Sequence, residues 1–219
     1  MTLPKPYYET ELGKLYHGDC LEIMPHLEPV DLVLTDPPYG VNKTDWDKQD
    51  DWEKTLKSFG KIIKTNLSND GVLIMFSSTR WLAKTILFIT VPYRWQFVWS
   101  CSNNMIPGDI GFSKFTPALI FSYKRSIHVN AQDLKDYPAG TKDLKNNDHP
   151  TPKPTPLFIY LLSKFLKKGV VLDPFLGSGT TAVACERLNR RWIGIEIEEK
   201  YCEIAAKRIE AEYKQRKLF

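Results

Sequence analysis

The tetrapeptide Asp36-Pro37-Pro38-Tyr39 closes an apolar run, Val30 to Thr35, and is followed by Gly40. Two consecutive prolines restrict what such a turn can offer. Pro37 holds Asp36 out of the helical region, both rings fix φ, and neither proline has an N–H. The turn therefore presents acceptors, the Asp36 carboxylate and the Pro37 carbonyl, beside the aromatic face of Tyr39. An exocyclic amino group on a nucleobase needs that set. Its lone pair is delocalised into the ring and is a poor nucleophile. Acceptors that engage both of its N–H groups draw the nitrogen towards tetrahedral geometry and localise the pair. Tyr39 can stack on the base, a contact worth about 1–3 kcal/mol by analogy with single-strand binders. A tight turn at a strand end is the plainer reading of Asp, Pro and Gly together. At average residue usage, however, D-P-P-Y occurs by chance in roughly one chain per thousand of this length.

A second constellation spans residues 170–182, VVLDPFLGSGTTA. It reads as a buried strand, a glycine turn and a helix start. Gly177 and Gly179 let the backbone come close to a ligand, and the helix N-terminus presents free N–H groups. With Ala182 the string fits G-x-G-x-x-A, the dinucleotide fingerprint. The next strand ends in Glu196, placed to take two ribose hydroxyls. Strand, turn, helix, strand and acid in this order point to a nucleoside-type cofactor, and the loop alone leaves both NAD and S-adenosylmethionine open. If the loop holds an electrophilic methyl in line, the Asp36 turn would act by positioning and by stabilising positive charge growing on nitrogen.

These residues need a scaffold that brings two strand ends together. A strand is expected at Leu15–Gly18, then a helix from Asp19 to about Leu27, with Asp19-x-x-Glu22 as a capping box. The strand Val30–Thr35 follows. A helix from Asp51 to about Leu67 places Trp52, Leu56, Phe59, Ile63 and Leu67 on one face and four lysines, residues 54–64, on another, solvated face. Further strands are expected at 71–76, 94–101, 117–123, 170–174 and 192–197. Helices are expected at 80–89, 157–168 and 180–189, with a last one from Glu198. Residues 41–50, 102–115 and 124–150 are polar and read as loops or an insertion. Alternating prolines in 150–156 predict an extended piece there, and KQRK near the C-terminus reads as a frayed end. Buried strands alternating with helices predict an α/β fold, a doubly wound, mostly parallel sheet covered on both faces.

Composition narrows the class. The chain has 219 residues, 42% hydrophobic and 26% charged, which fits one globular domain and excludes general disorder. No apolar run is long enough to span a bilayer, and the first residues, MTLPKPYYET, do not resemble a signal peptide. Four scattered cysteines with no CxxC pair argue against a disulfide scaffold or a zinc cluster, and for a cytoplasmic location. A net charge of +4 tolerates a polyanionic partner without demanding one. Residues 124–153 hold six Lys/Arg against four Asp, which is no strong basic patch.

Together, DPPY, DPFLGSGTT and IGIEI resemble the DNA amino-methyltransferases, which use S-adenosylmethionine. The catalytic motif precedes the cofactor motif, as in the beta subgroup, whose chain is circularly permuted. His149 to Pro154 resembles that subgroup's extended segment leading into the cofactor half, with Pro152 where Gln is usual. YHGDCLEIM, residues 16–24, resembles the strand-to-helix piece whose Asp lies near the cofactor adenine. The resemblance implies a Rossmann-like methyltransferase domain over residues 1–219, with a small target-recognition insertion in 102–150.

The resemblance assigns Asp36, Pro37 and Tyr39 to the target amino group. It assigns Asp173, Phe175, Gly177, Gly179 and Thr180 to the cofactor, Glu196 to its ribose, Asp19 to its adenine, and His149 and Lys153 to its carboxylate. No metal is implied. The activity implied is methyl transfer to adenine N6 in double-stranded DNA, with the base flipped out of the duplex. Cytosine N4 is the alternative, although members acting on cytosine usually carry Ser at the position of Asp36. An NAD-dependent dehydrogenase would leave DPPY unexplained, and intact Asp36, Gly177 and Glu196 argue against a DNA-binding module without turnover. A homodimer and a cognate restriction endonuclease are compatible partners. Permutation adds a topological expectation: the strand at 15–18 should lie beside the strand at 192–197, with Asp19, Glu196, Gly177 and Asp36 all at the carboxyl ends of neighbouring parallel strands.

Overall fold

The computed structural model describes residues 2–40, 49–100, 106–108, 111–113, 115–127 and 153–217. In chain order its elements begin with β1 (Tyr8–Glu9), β2 (Gly13–His17), α1 (Cys20–Ile23), β3 (Val30–Thr35), α2 (Gln49–Asn66) and β4 (Leu67–Phe76). Next come α3 (Leu82–Phe88), β5 (Tyr93–Ser100), β6 (Ile106–Gly108), β7 (Gly111–Ser113) and β8 (Phe115–Ser122). The last are α4 (Thr155–Phe165), β9 (Val170–Asp173), α5 (Thr180–Arg187), β10 (Arg191–Glu196) and α6 (Glu199–Arg216). Eight strands form one sheet in the order β1-β2-β10-β9-β3-β4-β8-β5. From β2 to β4 every neighbouring pair is parallel; β1 and β8 run antiparallel to their neighbours.

Alternation along the central strands sorts the core into two layers, because successive side chains point to opposite faces. Leu32 and Leu34 of β3 and Val72, Ile74 and Phe76 of β4 pack with Leu157 and Leu161 of α4, Ala182 of α5 and Ala205 of α6. Val33 of β3 and Leu73 and Met75 of β4 pack on the other side with Trp52, Leu56, Phe59 and Ile63 of α2. Strands buried on both faces read as continuous apolar runs, which is why VDLVLT and GVLIMF were legible.

The permuted order is visible directly. β2 lies beside β10, with His17 opposite Glu196, and the Gly18 N–H donates to the Glu196 carbonyl at 2.9 Å. β9, which carries the glycine turn, lies beside β3, which carries Asp36, although the two are far apart in sequence.

Several local expectations need correction. The helix after Asp19 is one α-turn, followed by a 3₁₀ turn at Met24–His26; Pro25 lacks the N–H that would continue an α-helix. β4 starts at Leu67, directly after α2. The stretch 102–115, read as loop, contains the antiparallel hairpin β6–β7. The extended piece at 150–156 does not reach residue 156. α4 starts at Thr155, with Pro156 in its first turn, where a missing N–H leaves no bond unmade. KQRK is no frayed end. α6 runs through Arg216, whose guanidinium donates to Asn189 Oδ1 at 2.8 Å, and Lys217 donates to Glu11 at 2.7 Å.

Candidate active site

The parallel strands β2, β10, β9 and β3 end on the same edge of the sheet, and the predicted residues arrive there in register. Open α/β sheets take ligands at that edge. Asp19 follows β2 and caps α1, accepting the Leu21 N–H at 2.8 Å. Glu196 ends β10. Its carboxylate is nearly buried, accepting the Gly177 N–H at 2.7 Å on one oxygen and the Glu198 N–H at 2.9 Å on the other. Burial raises its pKa, and these backbone donors oppose the rise. Each oxygen keeps a second lone pair, so the carboxylate can still accept two hydroxyls. Ile197, the next residue, is 58% exposed, which places an uncovered apolar side chain directly beside a buried acceptor.

The glycine turn between β9 and α5 is held from both sides. Gly177 has φ 54° and Gly179 φ 87°, the left-handed region that glycine tolerates best. A Cβ at 179 would stand 3.0 Å from the Cβ of Ala205, so this glycine also lets α6 pack against the turn. Arg208 of α6 donates to the Ser178 carbonyl at 2.6 Å and to its hydroxyl at 2.9 Å, with Thr180 Oγ1 at 3.4 Å. Phe175 is half-buried and meets the Phe59 ring edge-on at 5.7 Å. Inside the turn, Asp173 is buried. It accepts from Thr35 Oγ1 at 2.7 Å, Thr181 Oγ1 at 2.5 Å and the Phe175 N–H at 3.1 Å. Desolvation pushes its carboxyl up to about 7; these donors lower it, and the nearby Asp36 raises it. Asp173 thus ties the end of β3 to the start of α5 and sets the separation of the two motifs.

At the other end, Asp36 is engaged on both oxygens. Tyr39 donates its hydroxyl to Oδ1 at 2.5 Å, and Lys153 donates to Oδ2 at 2.5 Å. Lys153 Nζ is also 3.0 Å from the Tyr39 hydroxyl. It sits among three rings, 5.1 Å from the Tyr39 centroid, 5.3 Å from Phe76 and 5.7 Å from Trp99. Among the described residues it is the one buried lysine or arginine. Pro37 is buried. His149 lies outside the described residues.

Sequence reasoning missed Thr35, Thr181, Arg208, Phe76, Trp99 and Ile197. The threonines carried a usable signal, since each flanks a motif at a strand end or in the first helical turn. The others come from distant parts of the chain and meet the site only through the sheet order and helix packing.

The fold and these two acid-bearing turns define a DNA methylase. The DNA methylase family model matches residues 30–207, and the chain belongs to that family. It is 28% identical to the type II methyltransferase M2.DpnII of Streptococcus pneumoniae, over 96% of this chain and 94% of that one. It is 26% identical to M2.MboI of Moraxella bovis, over 93% and 90%. The crystal structure of the M1.HpyAVI–SAM complex superposes with a TM-score of 0.72 at 27% identity, covering 90% of this chain and 99% of that one. The cytosine-N4-specific PvuII DNA methyltransferase shares the fold, with a TM-score of 0.77 at 21% identity over 97% and 95%. Family membership sets aside the dehydrogenase and the module without turnover.

Proposed function

We propose that this chain transfers a methyl group from S-adenosylmethionine to N6 of adenine in double-stranded DNA. The observation that carries the reading is the single sheet edge on which Glu196, the glycine turn and Asp36 stand at the ends of adjacent parallel strands. The residues present fit the cofactor. Glu196 offers lone pairs to a ribose diol, Asp19 an acceptor near the adenine, Ile197 an apolar face, and Lys153 a buried cation for a carboxylate. The turn Phe175 to Thr180 holds the backbone around it. When bound, the cofactor supplies the electrophilic methyl.

The chain's own work is to present the nucleophile. Asp36 and the Pro37 carbonyl accept from the target amino group and stabilise the positive charge it gains, and Tyr39 stacks on the flipped base. A proton then leaves the product nitrogen for solvent or Asp36. An acid at position 36 supports adenine over cytosine N4. Residues 102–150 outside the core strand β8 are the proposed target-recognition insertion, because the edge beyond β4 borders the Asp36 end. The type II names of its relatives support a cognate restriction endonuclease. Sequencing that detects methylated bases, on DNA from cells expressing the chain, tests the reading. N6-methyladenine in a fixed context supports it; N4-methylcytosine, or no modified base, overturns it.

A further inference from the structure

Asp36 is the acceptor on which the target amino group must rest, yet each of its oxygens already accepts from one of the protein's own donors, and one of those donors is a cation that neutralises its charge. The Lys153 ammonium donates to one oxygen and lies among the Tyr39, Phe76 and Trp99 rings. An acceptor and surrounding π-faces are also what an amino nitrogen needs as it becomes positively charged. The ammonium and the target nitrogen therefore compete for the same carboxylate charge and the same ring-lined space.

A buried ammonium cannot simply be displaced, because leaving it unpaired in a poorly solvated chamber is strongly unfavourable. It needs a second anion. Asp173 is a poor substitute, since its oxygens already serve Thr35, Thr181 and the Phe175 N–H. The amino-acid tail of the cofactor brings a carboxylate, three carbons from the sulfur whose methyl must face Asp36. A lysine side chain, with its flexible four-carbon stem, has a comparable reach. Trp99, one of those rings, is 1% exposed and its indole N–H has no partner among the described residues. Buried donors of that kind are normally satisfied.

We propose that Lys153 is a positioning residue exchanged between Asp36 and the cofactor carboxylate, so that cofactor binding frees Asp36 for the target amino group. The proposal rests on S-adenosylmethionine being the cofactor. It makes an unusual demand: neutralising Asp36 should tighten cofactor binding, because Lys153 is then no longer held elsewhere.

Calorimetry on the purified chain tests it with two probes, S-adenosylhomocysteine and 5′-methylthioadenosine, which lacks the amino-acid tail. Asp36→Asn should bind S-adenosylhomocysteine about tenfold more tightly than the wild type and methylthioadenosine equally well. Lys153→Met should bind S-adenosylhomocysteine about tenfold more weakly, and the double variant should match Lys153→Met alone. Unchanged affinity in Asp36→Asn overturns the exchange. So does equal tightening in the Lys153→Met background, which would mean that Asp36 repels the tail directly. Methylthioadenosine binding reports an intact site in each variant, and Lys153→Gln replaces Lys153→Met if the latter does not fold. A wild type that binds neither probe overturns the cofactor reading, and the exchange with it.

Discussion

The two ends of the catalytic edge are built differently. At the Glu196 end the acid is oriented by backbone N–H groups and an apolar side chain stands uncovered beside it. At the Asp36 end the acid is engaged by side chains from two different segments, Tyr39 from its own turn and Lys153 from just before α4. Backbone donors are fixed by the fold and stay in place when a ligand arrives, so the proposed cofactor end would be preformed. Side-chain donors can swing away, so the proposed target end can change its partners. On the proposed reading, one fold would combine a standing receptor for the cofactor with an acceptor that is uncovered during the reaction cycle.

The contrast can be broken most sharply at Asp36. Asp36→Ala should lower methyl transfer by about a thousandfold, in line with loss of a transition-state stabilising group, while S-adenosylhomocysteine still binds. Tritium transfer from labelled cofactor to DNA measures the first and calorimetry the second. Near-normal turnover would remove Asp36 from the mechanism.

Asp173 lies between the two ends, and its effect shows in stability. Its carboxyl is near pH 4 in the unfolded chain and about 7 in the fold, so the fold prefers it protonated. Its contribution is most favourable below about pH 4 and is lost as the pH rises towards 7, a swing of about 4 kcal/mol. Asp173→Asn should therefore gain stability relative to the wild type from pH 5 to pH 8. Thermal melting at both pH values checks this, and parallel curves would show that Asp173 does not titrate there.

At the preformed end, Glu196→Ala should weaken S-adenosylhomocysteine binding by roughly 10- to 100-fold, the loss of hydrogen bonds to a charged acceptor worth about 1.5–3 kcal/mol. Gly177→Val should act in the same direction, because a β-branched residue at φ 54° is strained. If calorimetry showed both variants binding as the wild type does, the cofactor would not lie at this end.

The smallest expected effect is on the support behind the glycine turn. Gly179→Ala places a Cβ against Ala205 at φ 87° and should lower stability by about 1–2 kcal/mol, read as a drop in Tm with cofactor affinity changed less than in Gly177→Val. The reverse pattern would make Gly179 a ligand contact first and a packing glycine second.

Local rules carried much of this protein. Apolar runs bounded by turns located the buried strands β3, β4 and β9, and two proline- or glycine-marked strand ends picked out the acid-bearing turns that the sheet brings to one edge, because those constraints act within a few residues. Pro25 and Pro156 show where such rules need care: one cut a helix short and the other began one, and position within the helix decided which. Even the neighbouring of β2 and β10 was legible, since a permuted motif order implies which strands must meet. What the chain does with Lys153 was not legible. The resemblance implies a contact with the cofactor carboxylate, and the fold sets the Lys153 ammonium on Asp36, inside rings contributed by β4 and β5. The pairing joins residues 117 positions apart. No periodicity or spacing encodes such a contact. It exists only once the parallel sheet has put the end of β3 and the start of α4 on one edge, where, among the described residues, the buried ammonium pairs with Asp36.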